Sequence, residues 1–235
     1  EAEAAVLRAL EVQHGHWSTV PVNTRTTIIL QWARAIERNR DLMARLITLE
    51  NGKTLSEVLS GVASLDWYAE EAKRTYGHIV TPLDVTTHKQ IVQHHPVGVV
   101  GVITPWNFPL SMITRIAGAA LAAGCAVVLK PAEGKPLTAL AIAQLVSEEA
   151  KLPAGHYSVL TVPRGPDWSE EIGGLLCQHP AIRLLGFTGS TAVGELLYRK
   201  AAATGKRVLL ELGGNAPFIV FNSADVDKAV SGAVA

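Results

Sequence analysis

After Pro96 the chain repeatedly places a short apolar run ahead of a helical stretch, and this alternation limits its possible folds more than any other feature. The apolar runs are VGVVGVITP, CAVVLKP, HYSVLTV, IRLLGFTGS and RVLLELGG, and we expect helices over 110–123, 136–150 and 191–203. Strands that are apolar throughout are typical of a parallel sheet with helices on both faces. The sequence therefore predicts an α/β fold, in which ligands bind beyond the carboxyl ends of the strands.

Residues 1–77 have a helical pattern instead. One long helix is predicted to end at Asn51-Gly52, and a second is predicted to run from Leu55 to Arg74. The apolar positions that recur at mostly helical spacing in the first are Ile28, Ile29, Trp32, Ile36, Leu42, Leu46 and Leu49. Residues 78–95 alternate and are rich in β-branched side chains, which predicts a strand pair that leaves the main body.

The composition argues against several classes of partner. The formal net charge is zero, so nothing favours binding to nucleic acid or to an acidic membrane, and no apolar run reaches transmembrane length. Two cysteines do not make a disulfide framework and suggest a reducing compartment. The spacing of His14, His16, His94 and His95 matches no zinc motif, so no metal site is predicted.

Polar side chains follow two of the predicted strands. In ITPWNFP the amide of Asn107 comes where the strand ends, and a fixed amide donor there could stabilise an oxyanion. The alternative is an Asx-turn that only satisfies local backbone groups. In LKPAE, Lys130 could donate to ribose hydroxyls or phosphate, and Glu133 could accept a ribose diol. The alternative for this pair is a solvated ion pair in a loop.

Glycine turns follow two later strands. GFTGSTAVG leads from a strand into a helix, whose N-terminus would favour a phosphate, yet it has neither the GxGxxG spacing nor the lysine of a Walker loop. In LLELGGNAP, Glu211 lies between an apolar run and a Gly-Gly turn, and we expect it to be buried. A buried carboxylate needs a partner or a chemical task, the alternative being hydrogen bonds to backbone N–H groups of the loop.

The order ITPWNFP, LKPAE, FTGS and LELGG, each at a strand end, resembles the aldehyde dehydrogenase superfamily over nearly the whole chain. The resemblance implies a Rossmann-like NAD-binding α/β domain with a protruding β-hairpin. It also implies that a cysteine attacks the aldehyde, that Asn107 holds the resulting oxyanion, and that Glu211 activates the water that hydrolyses the thioester. Lys130 and Glu133 would hold the adenosine ribose, and Gly189 and Ser190 would face the pyrophosphate.

The full set of cofactor-binding residues implied by the resemblance comes from all four motifs. It comprises Ile103, Thr104, Pro105, Trp106, Lys130, Ala132, Glu133, Phe187, Gly189, Ser190, Gly194 and Leu212. The charge of Glu133 would repel the extra phosphate of NADP, so NAD is the expected cofactor and NADP the less favoured one.

Further segments, WYAEEAKRTYG, SMITR and GGNAPFIVF, resemble the succinate-semialdehyde dehydrogenase branch. Arg115 falls where that branch has an arginine for the substrate carboxylate, although it could also be a surface residue of an amphipathic helix. The expected reaction is therefore oxidation of succinic semialdehyde to succinate. The branch usually has a lysine directly after this arginine, where this chain has Ile116, and hydrolysis is expected to be impaired or rerouted.

The nucleophile is expected to lie outside this chain. Cys125 and Cys177 are outside the family's motif and are expected to be small buried hydrophobic residues. The chain is expected to be a fragment, inactive alone, with most adenosine-side contacts present. The alternative is a non-catalytic binding or structural module with the aldehyde dehydrogenase fold, and Ile116 motivates it.

The resemblance also implies a domain organisation. Residues 1–77 would be N-terminal helices packed on the NAD-binding domain, 78–96 the hairpin of an oligomerisation domain, 97–212 the NAD-binding domain and 213–235 the start of a catalytic domain. The full-length protein is expected to bind a small aldehyde, to form a homodimer or homotetramer, and to reside in the cytoplasm or mitochondrial matrix.

Overall fold

The predicted α/β fold is confirmed by a computed structural model, which describes residues 1–15, 17–54, 61–83, 88–163 and 165–234. Five parallel strands form the main sheet in the order β5-β4-β3-β6-β7. In chain order they are β3 (Val99–Ile103), β4 (Val127–Lys130), β5 (Tyr157–Val159), β6 (Ile182–Thr188) and β7 (Arg207–Glu211). β3 is the central strand.

The register of the sheet aligns the ends of the strands. Ile103 pairs with Lys130 of β4 and with Phe187 of β6, and Thr188 pairs with Glu211 of β7. Because the strands are parallel, their carboxyl ends lie at one edge of the sheet. The four motifs singled out in the sequence therefore meet at that edge.

Helices cover both faces of the sheet. The helices of the described residues are α1 (Ala2–Gly15), α2 (Val22–Arg38), α3 (Arg40–Asn51), α4 (Val62–Ala72), α5 (Pro109–Ala122), α6 (Leu137–Gln144), α7 (Pro166–Gln178), α8 (Thr191–Ala202) and α9 (Val226–Val234). Among them, α9 has no buried residue. A 3₁₀ turn (Trp17–Thr19) follows α1, and one π-helical turn (Leu145–Glu149) continues α6. One core cluster lies among α2 to α6, and a second lies among α1, α7 and α8.

The prediction of one long helix that ends at Asn51-Gly52 is wrong, because the helix is interrupted at Asn39 and forms α2 and α3. The Asn39 side-chain amide donates to the carbonyl of Ala35 at 2.9 Å and to Glu149 at 2.7 Å, which fixes the break. The break changes which face of α3 is buried. Leu42 and Leu49 are 66% and 86% exposed, whereas Met43, Ala44 and Ile47 are buried. The predicted start of the next helix at Leu55 lies outside the described residues.

The predicted strand pair is confirmed as an antiparallel hairpin of β1 (His78–Val80) and β2 (Gln90–Val92). It forms a sheet of its own, and Ile79 and Ile91, which pair across it, are both exposed. Residues 84–87, between the strands, lie outside the described residues, as does His16. The hairpin therefore stands apart from the sheet that carries the motifs.

A buried tyrosine contributes an unpaired polar atom to the first core cluster. The ring of Tyr157 packs against that of Trp32, with centroids 5.9 Å apart. Its hydroxyl is inaccessible to solvent and has no hydrogen-bond partner among the residues that the structure describes. Burial raises the pKa of Tyr157 well above its ordinary value. Such an unpaired group lowers the stability of the fold.

The C-terminal end of α7 is held by one lysine from the loop before β7. Lys206 donates from Nζ to the backbone carbonyls of Leu176, His179 and Ile182 at 3.3, 2.9 and 3.1 Å. A cation at a helix C-terminus satisfies carbonyls that lack partners inside the helix. Desolvation lowers the pKa of Lys206, against a smaller opposing effect of the neighbouring Cys177.

Candidate functional site

Two adjacent cavities open at the carboxyl edge of the sheet. The α7–α8 cavity has a volume of about 410 Å³ and lies between the ends of β3, β4 and β6 and helices α7 and α8. The α5–β7 cavity has a volume of about 510 Å³ and lies between α5 and the end of β7. Pro105, Thr188 and Gly189 line both cavities. A ligand that fills the first can therefore reach the second.

The α7–α8 cavity contains most of the predicted cofactor-binding residues. These are Ile103, Thr104, Pro105, Lys130, Ala132, Glu133, Phe187, Gly189 and Ser190. The Lys130 side chain is only 5% exposed, and its Nζ lies 3.1 Å from the Glu133 carboxylate. The pair is not the solvated loop ion pair that the sequence left open, since its ammonium group is buried. It is a charged pair on the wall of a cavity.

The surroundings of the Glu133 carboxyl favour its ionised form. Burial raises the pKa of Glu133, but hydrogen bonds from its own backbone N–H and from Lys130 outweigh burial, with a further bond from Ser169. The resulting pKa lies below the ordinary value for glutamate. At neutral pH this wall of the cavity therefore carries one acceptor-only carboxylate beside one ammonium group.

Side chains pack closely against the glycines in and after the turn between β6 and α8. The Gly189 N–H donates to the Glu211 carbonyl at 3.0 Å, and a Cβ at Gly189 would approach the Phe187 ring to 2.5 Å. A Cβ at Gly194 would likewise meet Leu212 at 2.3 Å, so this glycine is needed for packing. Ser190 makes no side-chain capping bond to α8. The first-turn N–H groups of α8, whose first residues border the α7–α8 cavity, thus have no capping side chain.

The α5–β7 cavity brings together the residues predicted for catalysis and substrate binding, with Asn107, Arg115, Glu211 and Leu212 all in its wall. The backbone N–H of Phe108 donates to Asn107 Oδ1 at 3.1 Å. The bond joins neighbouring residues and is not the Asx-turn that the sequence left open, in which the oxygen bonds the N–H two residues on. It occupies the side-chain oxygen, so the side-chain nitrogen is the atom able to donate to a ligand.

Neighbouring residues of α5 have different surroundings in this cavity. Arg115 is exposed, whereas Ile116 is partly buried and its methyl groups contact the backbone of β6. A Cβ at Gly186 would approach Ile116 to 3.0 Å. Ile116 therefore fills the space beside β6 with an apolar group, while the guanidinium of Arg115 remains accessible to an anionic ligand.

The expected burial of Glu211 is wrong, because this side chain is exposed. β7 is an edge strand, and its residues alternate between exposed and partly covered positions, with Glu211 at an exposed one. The sequence reads as an apolar strand, but only one side of the sheet edge is packed against helices. The carboxylate consequently faces the cavity and solvent.

The two cysteines of the chain lie in the hydrophobic core, and Cys177 Sγ contacts the carbonyl of Leu197, a residue of the α7–α8 cavity wall, at 3.6 Å. Cys125 and Cys177 are free and buried, as predicted, and burial raises the pKa of both thiols. Neither lines either cavity. Within the described part of the chain, no three His, Cys, Asp or Glu side chains cluster closely enough to hold a metal ion. Among the same residues, no helix has the length and apolar character needed to cross a bilayer.

Sequence reasoning missed the helical walls of the α7–α8 cavity. They are formed by Ser169, Glu170, Gly173, Gly174, Val193, Leu196, Leu197 and Lys200. The spacing of three and then four residues between Val193, Leu196 and Lys200 was a signal that these side chains share a face of α8. Trp106, predicted for the cofactor, lines neither cavity. Its carbonyl and ring instead contact Asn51 and Lys135.

Comparisons with known proteins agree with this geometry. The profile of the aldehyde dehydrogenase family matches residues 1–235. Mitochondrial succinate-semialdehyde dehydrogenase of Mus musculus is 47% identical over 239 residues, covering 100% of this chain and 45% of that protein. The 3-sulfolactaldehyde dehydrogenase of Pseudomonas putida is 45% identical over 238 residues, covering 100% and 47%. The chain thus spans about half the length of these relatives.

Solved structures have the same fold. An NADP-dependent enzyme of E. coli superposes with a TM-score of 0.92 at 44% identity, covering 99% of this chain and 48% of that one. Betaine aldehyde dehydrogenase of Staphylococcus aureus in complex with NAD+ gives a TM-score of 0.90 at 33% identity, covering 98% and 45%. The similarity extends over nearly all of the chain.

Proposed function

The chain belongs to the aldehyde dehydrogenase family, and from this premise we propose that the full-length protein oxidises an aldehyde to a carboxylic acid with a nicotinamide cofactor. The observation that carries the proposal is the α5–β7 cavity, which places an amide donor, a carboxylate and a guanidinium around one space beside the α7–α8 cavity. We propose succinic semialdehyde as the substrate and NAD as the cofactor.

The α7–α8 cavity suits a dinucleotide. Its wall contains a buried ammonium group, Lys130, paired with an ionised carboxylate, Glu133, which together can bind ribose hydroxyls. The uncapped start of α8 suits the pyrophosphate. When bound, the nicotinamide takes up the hydride that leaves the substrate carbon. Glu133 favours NAD over NADP, because its charge would lie close to a 2′-phosphate.

In the proposed reaction, a cysteine thiolate from the rest of the full-length protein attacks the aldehyde carbon. The side-chain nitrogen of Asn107 donates to the oxygen that becomes negative. After hydride leaves, Glu211 accepts a proton from water, and the hydroxide formed attacks the thioester carbon and expels the thiolate. Cys125 and Cys177 are unsuited to the role of nucleophile, because both are buried, neither lines a cavity, and burial raises the pKa of both thiols.

The substrate proposal depends on Arg115. Its exposed guanidinium in the wall of the α5–β7 cavity can bind a carboxylate through two parallel hydrogen bonds. A sulfonate would also fit such a donor, and one relative is named a 3-sulfolactaldehyde dehydrogenase. The two substrate classes are distinguished by comparing kcat/KM for succinic semialdehyde, 3-sulfolactaldehyde and uncharged butanal. Arg115→Met should lower kcat/KM only for the two anionic aldehydes.

The catalytic proposal is tested with Glu211→Gln in the full-length protein. Because only hydrolysis needs the base, this variant should release a burst of NADH equal to the number of active sites and then turn over slowly. Glu195→Gln, an exposed glutamate of α8 outside both cavities, is the matched control and should behave like wild type. Normal steady turnover of Glu211→Gln would refute the assignment. The fragment alone, lacking a suitable nucleophile, should show no turnover.

A non-catalytic role is the second candidate, and Ile116 favours it. The side chain packs against β6 and places an apolar group in the cavity where the resembled branch has a lysine. A non-catalytic protein would still bind dinucleotide but would give no NADH burst with any aldehyde. Ile116→Lys in the full-length protein should raise turnover if hydrolysis is limited by the missing amine, and should change nothing if the protein is only a binding module.

The assembly and location of the full-length protein are further proposals. We propose a homodimer or homotetramer in which the exposed hairpin of β1 and β2 contributes to subunit contacts. Sedimentation of the full-length protein tests this, and Ile79→Asp should shift it toward monomer. Because the Mus musculus relative is mitochondrial by name, we propose the mitochondrial matrix before the cytoplasm, to be tested by fractionation.

A further inference from the structure

We infer that the α3 end, meaning Glu50 and Asn51 of α3 together with Lys53 just after it, positions two loops of the site through different contacts. One is the β3–α5 loop (104–108), which carries Asn107, and the other is the β4–α6 loop (131–136), which carries Glu133. The inference rests on the proposed function, since it explains how the donor and the cofactor-binding carboxylate are held.

The β3–α5 loop is held on both sides of Asn107. The side-chain amide of Asn51 donates to the carbonyl of Trp106 at 2.5 Å, and this carbonyl belongs to the peptide bond that enters Asn107. The Lys53 ammonium lies 3.7 Å from the centroid of the Phe108 ring, a cation–π contact with the next residue. The N–H of Phe108 in turn fixes Asn107 Oδ1. The direction of the Asn107 nitrogen therefore depends on α3.

The β4–α6 loop is held by Glu50. Its carboxylate accepts hydrogen bonds from the N–H of Leu137 at 2.5 Å and from the N–H and hydroxyl of Thr138 at 2.9 and 2.6 Å. Pro136, the residue before α6, has no capping side chain of its own, so a distant glutamate caps the helix. Because Glu133 lies only a few residues before this capped turn, its position depends on Glu50.

Two further features link the geometry of the α3 end to these loops. Gly52 has a left-handed backbone (φ +80°) and its N–H bonds to Thr48, which turns the chain so that Lys53 reaches the Phe108 ring. Glu50, Asn51 and Lys53 are absent from the walls of both cavities. They therefore act through the loops. The loops meet where Lys135 Nζ lies 5.2 Å from the centroid of the Trp106 ring, so each substitution should change mainly the loop that the residue contacts directly.

The test uses the full-length protein and separates cofactor binding from catalysis. Asn51→Ala should lower kcat about ten-fold or more, because a small displacement of a donor is costly, while the Kd for NAD stays within two-fold of wild type. Glu50→Gln, which removes one acceptor oxygen, should raise the Kd for NAD several-fold with kcat at saturating NAD within two-fold. Asn23→Ala and Glu37→Gln, at exposed positions of α2 outside both cavities, are the matched controls and should change neither quantity.

Hydrogen exchange by mass spectrometry gives a readout that does not need activity. Asn51→Ala and Lys53→Met should each raise exchange mainly in peptides covering 104–112, and Glu50→Gln should raise it mainly in peptides covering 131–141. Parallel changes in both loops, or in neither, would overturn the inference. Absence of aldehyde oxidation in the wild-type protein, with loop-specific exchange intact, would refute only the proposed function. Lys53→Met keeps the test valid if Asn51→Ala fails to fold.

Discussion

Glu133→Gln is the change that should alter cofactor preference most directly. The substitution keeps the size of the side chain and removes its charge. It also leaves Lys130 without its anionic partner at 3.1 Å, so that this buried ammonium becomes available to a 2′-phosphate. Both consequences favour NADP, and the ratio of kcat/KM for NAD to that for NADP should fall.

The size of the effect follows from the charge that is removed. Two unit charges about 5 Å apart repel by about 3 kcal/mol at an effective dielectric constant of 20 and by about 0.8 kcal/mol in water. The Glu133 side chain is 35% exposed, so screening by solvent moves the estimate toward the lower value. We expect a change of about 1–2 kcal/mol, which is roughly 5- to 30-fold in the ratio.

The assay is steady-state kinetics of the full-length protein with each dinucleotide at saturating aldehyde. Because the pKa of Glu133 lies below its ordinary value, the carboxylate stays ionised from pH 8 down to pH 6, and the wild-type preference should not be lost through protonation of this group over that range. Glu11→Gln, an exposed glutamate of α1, is the matched control and should leave the ratio unchanged.

If the ratio changes by less than two-fold in Glu133→Gln, this reasoning is refuted. Even the repulsion in water, about 0.8 kcal/mol, corresponds to more than a two-fold change in the ratio. An equal loss of kcat/KM with both dinucleotides would also refute the reasoning. That result would mean either that Glu133 binds a group that NAD and NADP share, the diol of the other ribose, or that it only holds its own loop. In both cases Glu133 would not discriminate between the cofactors at the 2′ position.

Three more predictions concern the rest of the chain. Tyr157→Phe should raise the midpoint of thermal unfolding slightly, because it removes a buried unpaired hydroxyl. Tyr157→Ala should lower the midpoint by an amount typical of a large core cavity. A lower midpoint for Tyr157→Phe would contradict this prediction. Lys206→Met should lower the midpoint, since the carbonyls at the end of α7 lose their donor, and the exposed Lys89→Met should not; equal effects would be evidence against the cap. Cys125 and Cys177 should resist iodoacetamide at pH 8 until the protein unfolds, because burial raises the pKa of both thiols, and mass spectrometry of labelled peptides measures this.

The sequence was sufficient to predict which residues lie at the sheet edge, because continuous apolar strands and the residues that end them are local features. It was insufficient to predict three other features. The break at Asn39 preserves helical spacing on both sides, so periodicity alone cannot reveal it. The exposure of Glu211 depends on β7 being an edge strand, and strand order is a tertiary property. The walls contributed by α7 and α8 likewise depend on how these helices pack together.

The sheet order also separates the two chemical tasks in space. Glu133 follows β4 and Glu211 ends β7, and β3 and β6 lie between those strands. Three strand spacings of about 4.8 Å put the two carboxylates on the order of 14 Å apart. Substitutions at that separation, with no shared partner, usually have additive free energies. The double variant Glu133→Gln/Glu211→Gln should therefore have the altered cofactor ratio of the first and the slow hydrolysis of the second, each unchanged in size. A cofactor ratio that returns to wild type in the double variant would mean that the two cavities are coupled through the ends of β3 and β6 and do not act independently.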